Sequence, residues 1–277
     1  MSARVEVDTA PVRRHLEVDG VRFSYCAAGS GAIPPLVLLH GIGSNARSWR
    51  DQLAELGDVR EVVAWDAPGY GDSTPVAAPR PAAADYAGRL ARFLDGLGLD
   101  RIALLGHSLG ALIAGAFTAA WPHRVERLIL AAPALGHRTD PGAPLPPAAQ
   151  SRLDDLAALG PDGFAARRAP RLMSPAATPG QLERARAAMA EIDPDGYRQA
   201  VAVLAQGDLR TDAGNIAAPA LVLAGAEDTV TPPAGSRALA AATAGGRYRE
   251  IPGAGHLSYI EKPAAFNAAV RGFLNEQ

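Results

Sequence analysis

The sequence predicts an α/β fold: a mostly parallel, eight-stranded sheet with helices on both faces and a helical cap inserted after the sixth strand. Three observations predict it. Short apolar runs alternate with segments whose apolar residues recur at helical spacing, and strands alternating with helices imply a parallel sheet covered on both sides. One such unit, RIALLGHSLGALIAGAFTAAW from Arg101 to Trp121, passes from strand to helix through the tight turn Gly106-His107-Ser108-Leu109-Gly110. From Ala132 to about Ala220 the alternation stops, and only short helical segments are legible.

In chain order, Val12–Val18 and Val21–Ala27 flank Asp19-Gly20, a hairpin signal, and read as an antiparallel pair at a sheet edge. Leu36–His40 is wholly apolar up to its histidine, as expected of a central strand covered on both faces. Asn45–Leu56 has helical spacing, with Trp49, Leu53 and Leu56 on one face. Glu61–Asp66 is the next strand and Asp85–Leu97 the next helix; the elbow unit and the strand Val125–Ala131 follow. Ser151–Leu159, Pro161–Arg171, Pro179–Ile192 and Pro194–Gln206 read as four helices, with prolines suited to first-turn positions. The sheet resumes with Ala220–Ala224, helix Ala234–Ala242, strand Arg247–Ile251 and a closing helix Pro263–Leu274. The expected division is a core of residues 1–134 and 216–277 with a cap of residues 135–215.

Composition excludes several classes of function. The 277 residues are 48% hydrophobic with a net charge of −2, a globular composition with no basic excess for nucleic acid or an acidic membrane surface. Lys262 is the only lysine, and Cys26 the only cysteine, so no internal disulfide forms and a reducing compartment is expected. The N-terminal stretch lacks an apolar core of signal-peptide length, and no apolar run is long enough to span a bilayer. The expectation is a cytoplasmic protein acting on a small molecule, with an oligomeric state that the sequence leaves open. No His/Cys spacing suggests a metal, and no cofactor is expected.

The elbow carries the chemistry. Gly-x-Ser-x-Gly between strand and helix exposes a serine on a strained turn, and its glycines allow neighbouring backbones to approach. Ser108 would stand at a helix N-terminus, which favours developing negative charge. An acyl-transferring serine needs a base, an orienting acid and two oxyanion donors. Of six histidines, His15, His123 and His137 read as surface residues, and His107 is adjacent to Ser108 with a diverging side chain. His40 ends a central strand and borders the expected site. His256, in a glycine-rich loop past a strand, is the expected base. Asp228 is the expected acid, with Glu227 and Asp140 as rivals; the order Ser108, Asp228, His256 suits this architecture. The oxyanion donors are the N–H groups of Leu109 and Ile42, the latter in the loop His40-Gly41-Ile42-Gly43. Gly41-Ile42-Gly43-Ser44-Asn45-Ala46 also formally matches a dinucleotide fingerprint, with Asp66 at a suitable distance. Two strands precede it, however, and that reading leaves the Ser, Asp and His loops without a role.

With these residues assembled, the chain resembles the α/β-hydrolase superfamily. HGIG at 40–43, WDAPGYGDS at 65–73, GHSLG at 106–110, GAEDTVTPP at 225–233 and GAGHLSYIEKP at 253–263 occur in the family's order. The resemblance implies that the helical insertion is a cap over the nucleophile. Serine at 108 departs from haloalkane dehalogenases and epoxide hydrolases, which carry aspartate there. The tail HLSYIEKP looks like that of 3-oxoadipate enol-lactonases and small carboxylesterases. The C–C hydrolases of meta-cleavage products resemble it too, but typically have asparagine before the serine and tryptophan after the histidine, where this chain has His107 and Leu257. The haloperoxidase-like group shares the triad.

The expected function is therefore hydrolysis of a small, largely apolar ester or lactone through an acyl-enzyme on Ser108. C–C bond hydrolysis with the same triad is the alternative, and a non-catalytic ligand receptor a third reading. Candidate substrate contacts are His40, Gly41, Phe164, Arg171, Met173 and Leu257. Arg167, Arg168 and Arg171 cluster on one segment, where an arginine can clamp a carboxylate. A solvated helix face is the simpler account of that cluster. Tyr197, Val201 and Leu204 read as cap-to-core packing with some pocket lining.

Overall fold

The computed structural model describes residues 10–31 and 33–276. Strands β1 (Arg14–Val18) and β2 (Val21–Ala28) form the antiparallel hairpin, with Asp19 and Gly20 at φ 48° and 75° in its turn. Two positive φ values match the right-handed twist of the flanking strands. β2 also pairs antiparallel with β4 (Val62–Trp65), which joins the hairpin to a parallel block. That block contains β3 (Leu36–Leu39), β5 (Ile102–His107), β6 (Val125–Ala131), β7 (Ala220–Gly225) and β8 (Arg247–Ile251). The order across the sheet is β1-β2-β4-β3-β5-β6-β7-β8.

Strand periodicity sorts the core into two layers. Val37, Leu39 and Leu104 pack with Tyr86 and Phe93 of helix α2 (Ala83–Gly96) and Phe117 of α3 (Leu109–Ala120). Leu36, Leu38 and Leu105 face the other way, onto Leu53 of α1 (Arg50–Leu56) and Phe266 and Val270 of α10 (Pro263–Leu274). Successive residues of a strand point to opposite faces, so a central strand must be apolar throughout. The winding reverses between β3 and β5, because β4 lies on one side of β3 and β5 on the other. In open α/β sheets a crevice opens at such a switch point, beyond the carboxyl ends of the strands.

Among the described residues no strand lies between β6 and β7; four helices do. α4 (Pro147–Arg168) is broken at Gly160, φ 64°, just before Pro161, which gives the two arms the sequence suggests. α5 (Pro179–Ala190) starts with a Thr178/Gln181 capping box, and α6 (Pro194–Gln206) is capped by Asp193. α7 (Leu209–Ala213) lays Leu209 against Gly115 of α3. The remaining helices are α8 (Pro233–Ala242) and α9 (Ser258–Glu261). Three expectations are corrected. The helix expected from Asn45 is a 3-10 turn (Ala46–Trp49) before α1, the second cap helix ends at Arg168 with Ala169–Leu172 as a 3-10 turn, and α7 and α9 were not anticipated. No helix among the described residues is long and apolar enough to cross a membrane.

Candidate active site

β5 ends and α3 begins at Ser108, whose backbone takes φ 53° and ψ −111°. A side chain rarely adopts that conformation, and it costs about 1–3 kcal/mol where it occurs. The surroundings enforce it: Ser108 N–H donates to Ala131 O at 2.9 Å, and Ala134 N–H donates to Ser108 O at 3.2 Å. A Cβ on Gly106 would lie 2.2 Å from Gly110 O, and one on Gly110 2.3 Å from Leu39 O. Only glycine permits that closeness.

His256 follows β8 in a loop tied to the cap. Its N–H donates to Leu172 O at 2.9 Å. Glu261 accepts from Gly255 N–H at 2.9 Å and from Ser174 N–H at 2.8 Å, so one carboxylate fastens both the histidine loop and the cap. Nδ1 of His256 meets Asp228 Oδ2 at 2.8 Å. Asp228 is buried and also accepts from Val230 N–H (2.7 Å), Thr231 N–H (2.9 Å) and Thr231 Oγ1–H (2.8 Å). Burial alone would raise its pKa, but the hydrogen bonds from His256 and Thr231 outweigh that and hold it below the ordinary carboxylate value. The rivals Glu227 and Asp140 are exposed.

The loop after β3 is braced from behind. His40 Nε2 accepts from Ala67 N–H at 3.0 Å, which leaves Nδ1–H to donate to Gly41 O at 2.8 Å. Burial lowers the pKa of this ring, so it stays neutral. Tyr70 Oη–H donates to Ile42 O, steadying the residue expected to supply an oxyanion donor. Leu109 is the first residue of α3, where an N–H has no acceptor within the helix. His107 donates from Nε2 to His256 O at 2.9 Å, and burial lowers its pKa to about 3, so it too is neutral. Asp66 is consumed by Arg13 (3.0 Å), Ser24 (2.7 Å) and Ala46 N–H (2.8 Å), and is not presented to a ribose.

A cavity of about 600 Å³ opens over this edge. Gly41, Ile42, Ser108, His107 and His256 form its sheet side; Arg152, Arg168, Arg171, Leu172, Met189, Tyr197 and Leu204 face it from the cap. Such a volume suits a small organic molecule.

The sequence model of the family described as alpha/beta hydrolase fold matches residues 34–263. The chain belongs to this family. Among curated proteins, this alpha/beta hydrolase is similar to 3-oxoadipate enol-lactonase 2 of Acinetobacter baylyi, at 29% identity over 94% of this chain and 95% of the relative. Among solved structures it is similar to an enol-lactonase from Burkholderia xenovorans LB400, with a TM-score of 0.86, 29% identity, and 95% and 100% of the two chains covered. A thermophilic esterase from Thermogutta terrifontis, crystallised with malate, gives 0.83 at 28% identity over 95% and 98%.

Of the substrate contacts expected in this alpha/beta hydrolase, Gly41, Arg171 and Leu257 line the cavity; His40, Phe164 and Met173 do not. Both ring nitrogens of His40 are taken by backbone groups. Phe164 is fully buried behind Tyr197, edge-on at 5.2 Å, and Met173 packs against the α1/α10 layer. The arginine cluster divides: Arg167 stays exposed with Asp155, while Arg168 and Arg171 reach the cavity. Arg152, Met189 and Thr231 were missed. Only Thr231 left a signal, a hydroxyl three residues after the expected acid.

Proposed function

We propose that this protein is a serine hydrolase of small esters or lactones. One observation carries the reading. A serine held in a strained turn at a helix N-terminus shares a cavity with a histidine whose far nitrogen is bonded to a buried, ionised aspartate. Nδ1 of His256 is engaged by Asp228, which leaves Nε2 as the nitrogen that exchanges a proton. His256 takes the Ser108 proton as Oγ attacks the carbonyl carbon. The N–H groups of Ile42 and Leu109 stabilise the oxyanion, and Asp228 stabilises the imidazolium. The imidazolium protonates the leaving oxygen as the C–O bond breaks. Water, deprotonated by His256, then attacks the acyl-enzyme and releases the acid and Ser108.

Likeness to an enol-lactonase and an esterase over nearly the full chain supports an ester or lactone over a C–C bond. Ser108→Ala is expected to abolish turnover of p-nitrophenyl acetate by the purified protein, and undiminished turnover would reject Ser108 as the nucleophile. Assaying an enol-lactone beside a meta-cleavage product separates the two hydrolase readings. Absence both of activated-ester turnover and of fluorophosphonate labelling would favour the receptor reading.

A further inference from the structure

We propose that the cap end of the cavity is an anion site, so that the ester or lactone presented to Ser108 also carries a free carboxylate. The inference rests on the hydrolase reading and adds the class of substrate. Three arginines line the cavity: Arg152 from the first arm of α4, Arg168 from its last residue, and Arg171 from the 3-10 turn that follows. Among the described residues no aspartate or glutamate lines it. Asp155, which is not part of the wall, is shared between Arg168 (2.8 Å) and Arg167 (3.1 Å). Among the described residues Arg152 and Arg171 make no ion pair; Arg152 donates toward the Tyr197 hydroxyl. Nε of Arg168 is buried with no hydrogen-bond partner.

Arg152 and Arg168 depart from the pattern of arginines that serve solubility, being half-buried or more. Elsewhere on the cap, Arg167, Arg186 and Arg198 point outward and each meets an acid. The three cavity arginines instead share a wall with Leu135, Leu172, Leu204 and Leu257; Arg171 is exposed there, while Arg152 is half-buried and Arg168 largely buried, so the charge of these two is less screened. A carboxylate there would supply the missing counter-charge, and the planar guanidinium fork matches it two bonds at a time. The same field would repel a substrate bearing an ammonium group.

The experiment compares kcat/KM for p-nitrophenyl hemiglutarate, which has a free carboxylate, with that for neutral p-nitrophenyl pentanoate. Wild type, Arg152→Gln, Arg171→Gln and the double variant are measured, with fluorophosphonate labelling of Ser108 reporting that each site is intact. Wild type is expected to prefer the hemiglutarate by about ten- to a hundredfold, the worth of charge-assisted hydrogen bonds. In the double variant that preference should fall to near unity, mainly through KM. Equal rates on the two esters in wild type, or a preference that survives in the double variant, would overturn the anion site. Turnover of neither ester, with no labelling, defeats the hydrolase reading instead. Calorimetric binding of glutarate to the Ser108→Ala protein then tests the anion site alone: binding weakened by Arg171→Gln supports it, and no binding overturns it. Inorganic phosphate that competes better than glutarate would also overturn the choice of carboxylate.

Discussion

Asp228 accepts four hydrogen bonds, two of them from backbone N–H groups that only proline would remove. The Thr231 hydroxyl is the exception. It lies 2.8 Å from Asp228 Oδ2, 3.1 Å from Ala132 O and 3.2 Å from His256 Nδ1. Thr231→Val keeps the shape and deletes the donor. Kcat/KM on an activated ester is expected to fall about tenfold, the value of one hydrogen bond to a charged group. Unchanged kinetics would show that the backbone donors alone orient the carboxylate. Residue type and position pointed to Ser108, Asp228 and His256, but could not tell a brace from a contact. His40 has the chemistry of a substrate ligand; Ala67 N–H and Gly41 O, which consume it, adjoin the neighbouring strand end and the next residue.

At the scale of elements, the site is held by loops that clasp one another across the cap boundary. Glu261, in the four-residue helix α9, joins the cap segment just after its 3-10 turn to the loop carrying His256 through Ser174 and Gly255. Glu261→Gln replaces one acceptor oxygen with an amide NH2 facing an N–H donor. A loss of about 1.5–3 kcal/mol of stability is expected in urea melts, with slower ester turnover, because both bonds are buried and charge-assisted. A variant as stable and as active as wild type would show that the loop needs no such clasp. Sequence periodicity located the long elements well and the short ones poorly. α7 and α9 have five and four residues, about a turn each, which is too few to display a period. The break in α4 was legible because Gly160-Pro161 writes it into the chain. That break also lets Asp155 meet Arg168, thirteen residues on, which a straight helix would hold on the order of 20 Å away.

On the scale of the molecule, the segment between β6 and β7 returns to the core through α7, and there a charge is placed badly. Burial, with Asp208 nearby, raises the Asp212 pKa from 3.8 to about 6. A carboxyl raised on folding destabilises the folded state wherever the unfolded chain has released its proton. The penalty is absent below pH 3.8, grows from there to about pH 6 and is constant above. Asp212→Asn is therefore expected to raise Tm at pH 8, with the gain shrinking toward zero near pH 4; a gain independent of pH would exclude this origin. At the N-terminal side, Arg13 ties the core to the cap by bridging Asp66 (3.0 Å) and Glu191 of the cap (2.7 Å). Nothing local in the sequence pairs residues so far apart.

By itself the sequence determined the α/β class and the interval occupied by helices, and it pointed to a serine, an aspartate and a histidine that follow three separate strands. These depend on local rules: apolar period, turn chemistry, and the glycines an elbow requires. Tertiary structure alone decided the strand order that puts the loops after β3 and β5 side by side. It also decided which histidines are spent as braces and which arginines line the cavity. Those outcomes rest on contacts between residues distant in the chain, whose free energy depends on the burial and partners that only the folded arrangement creates.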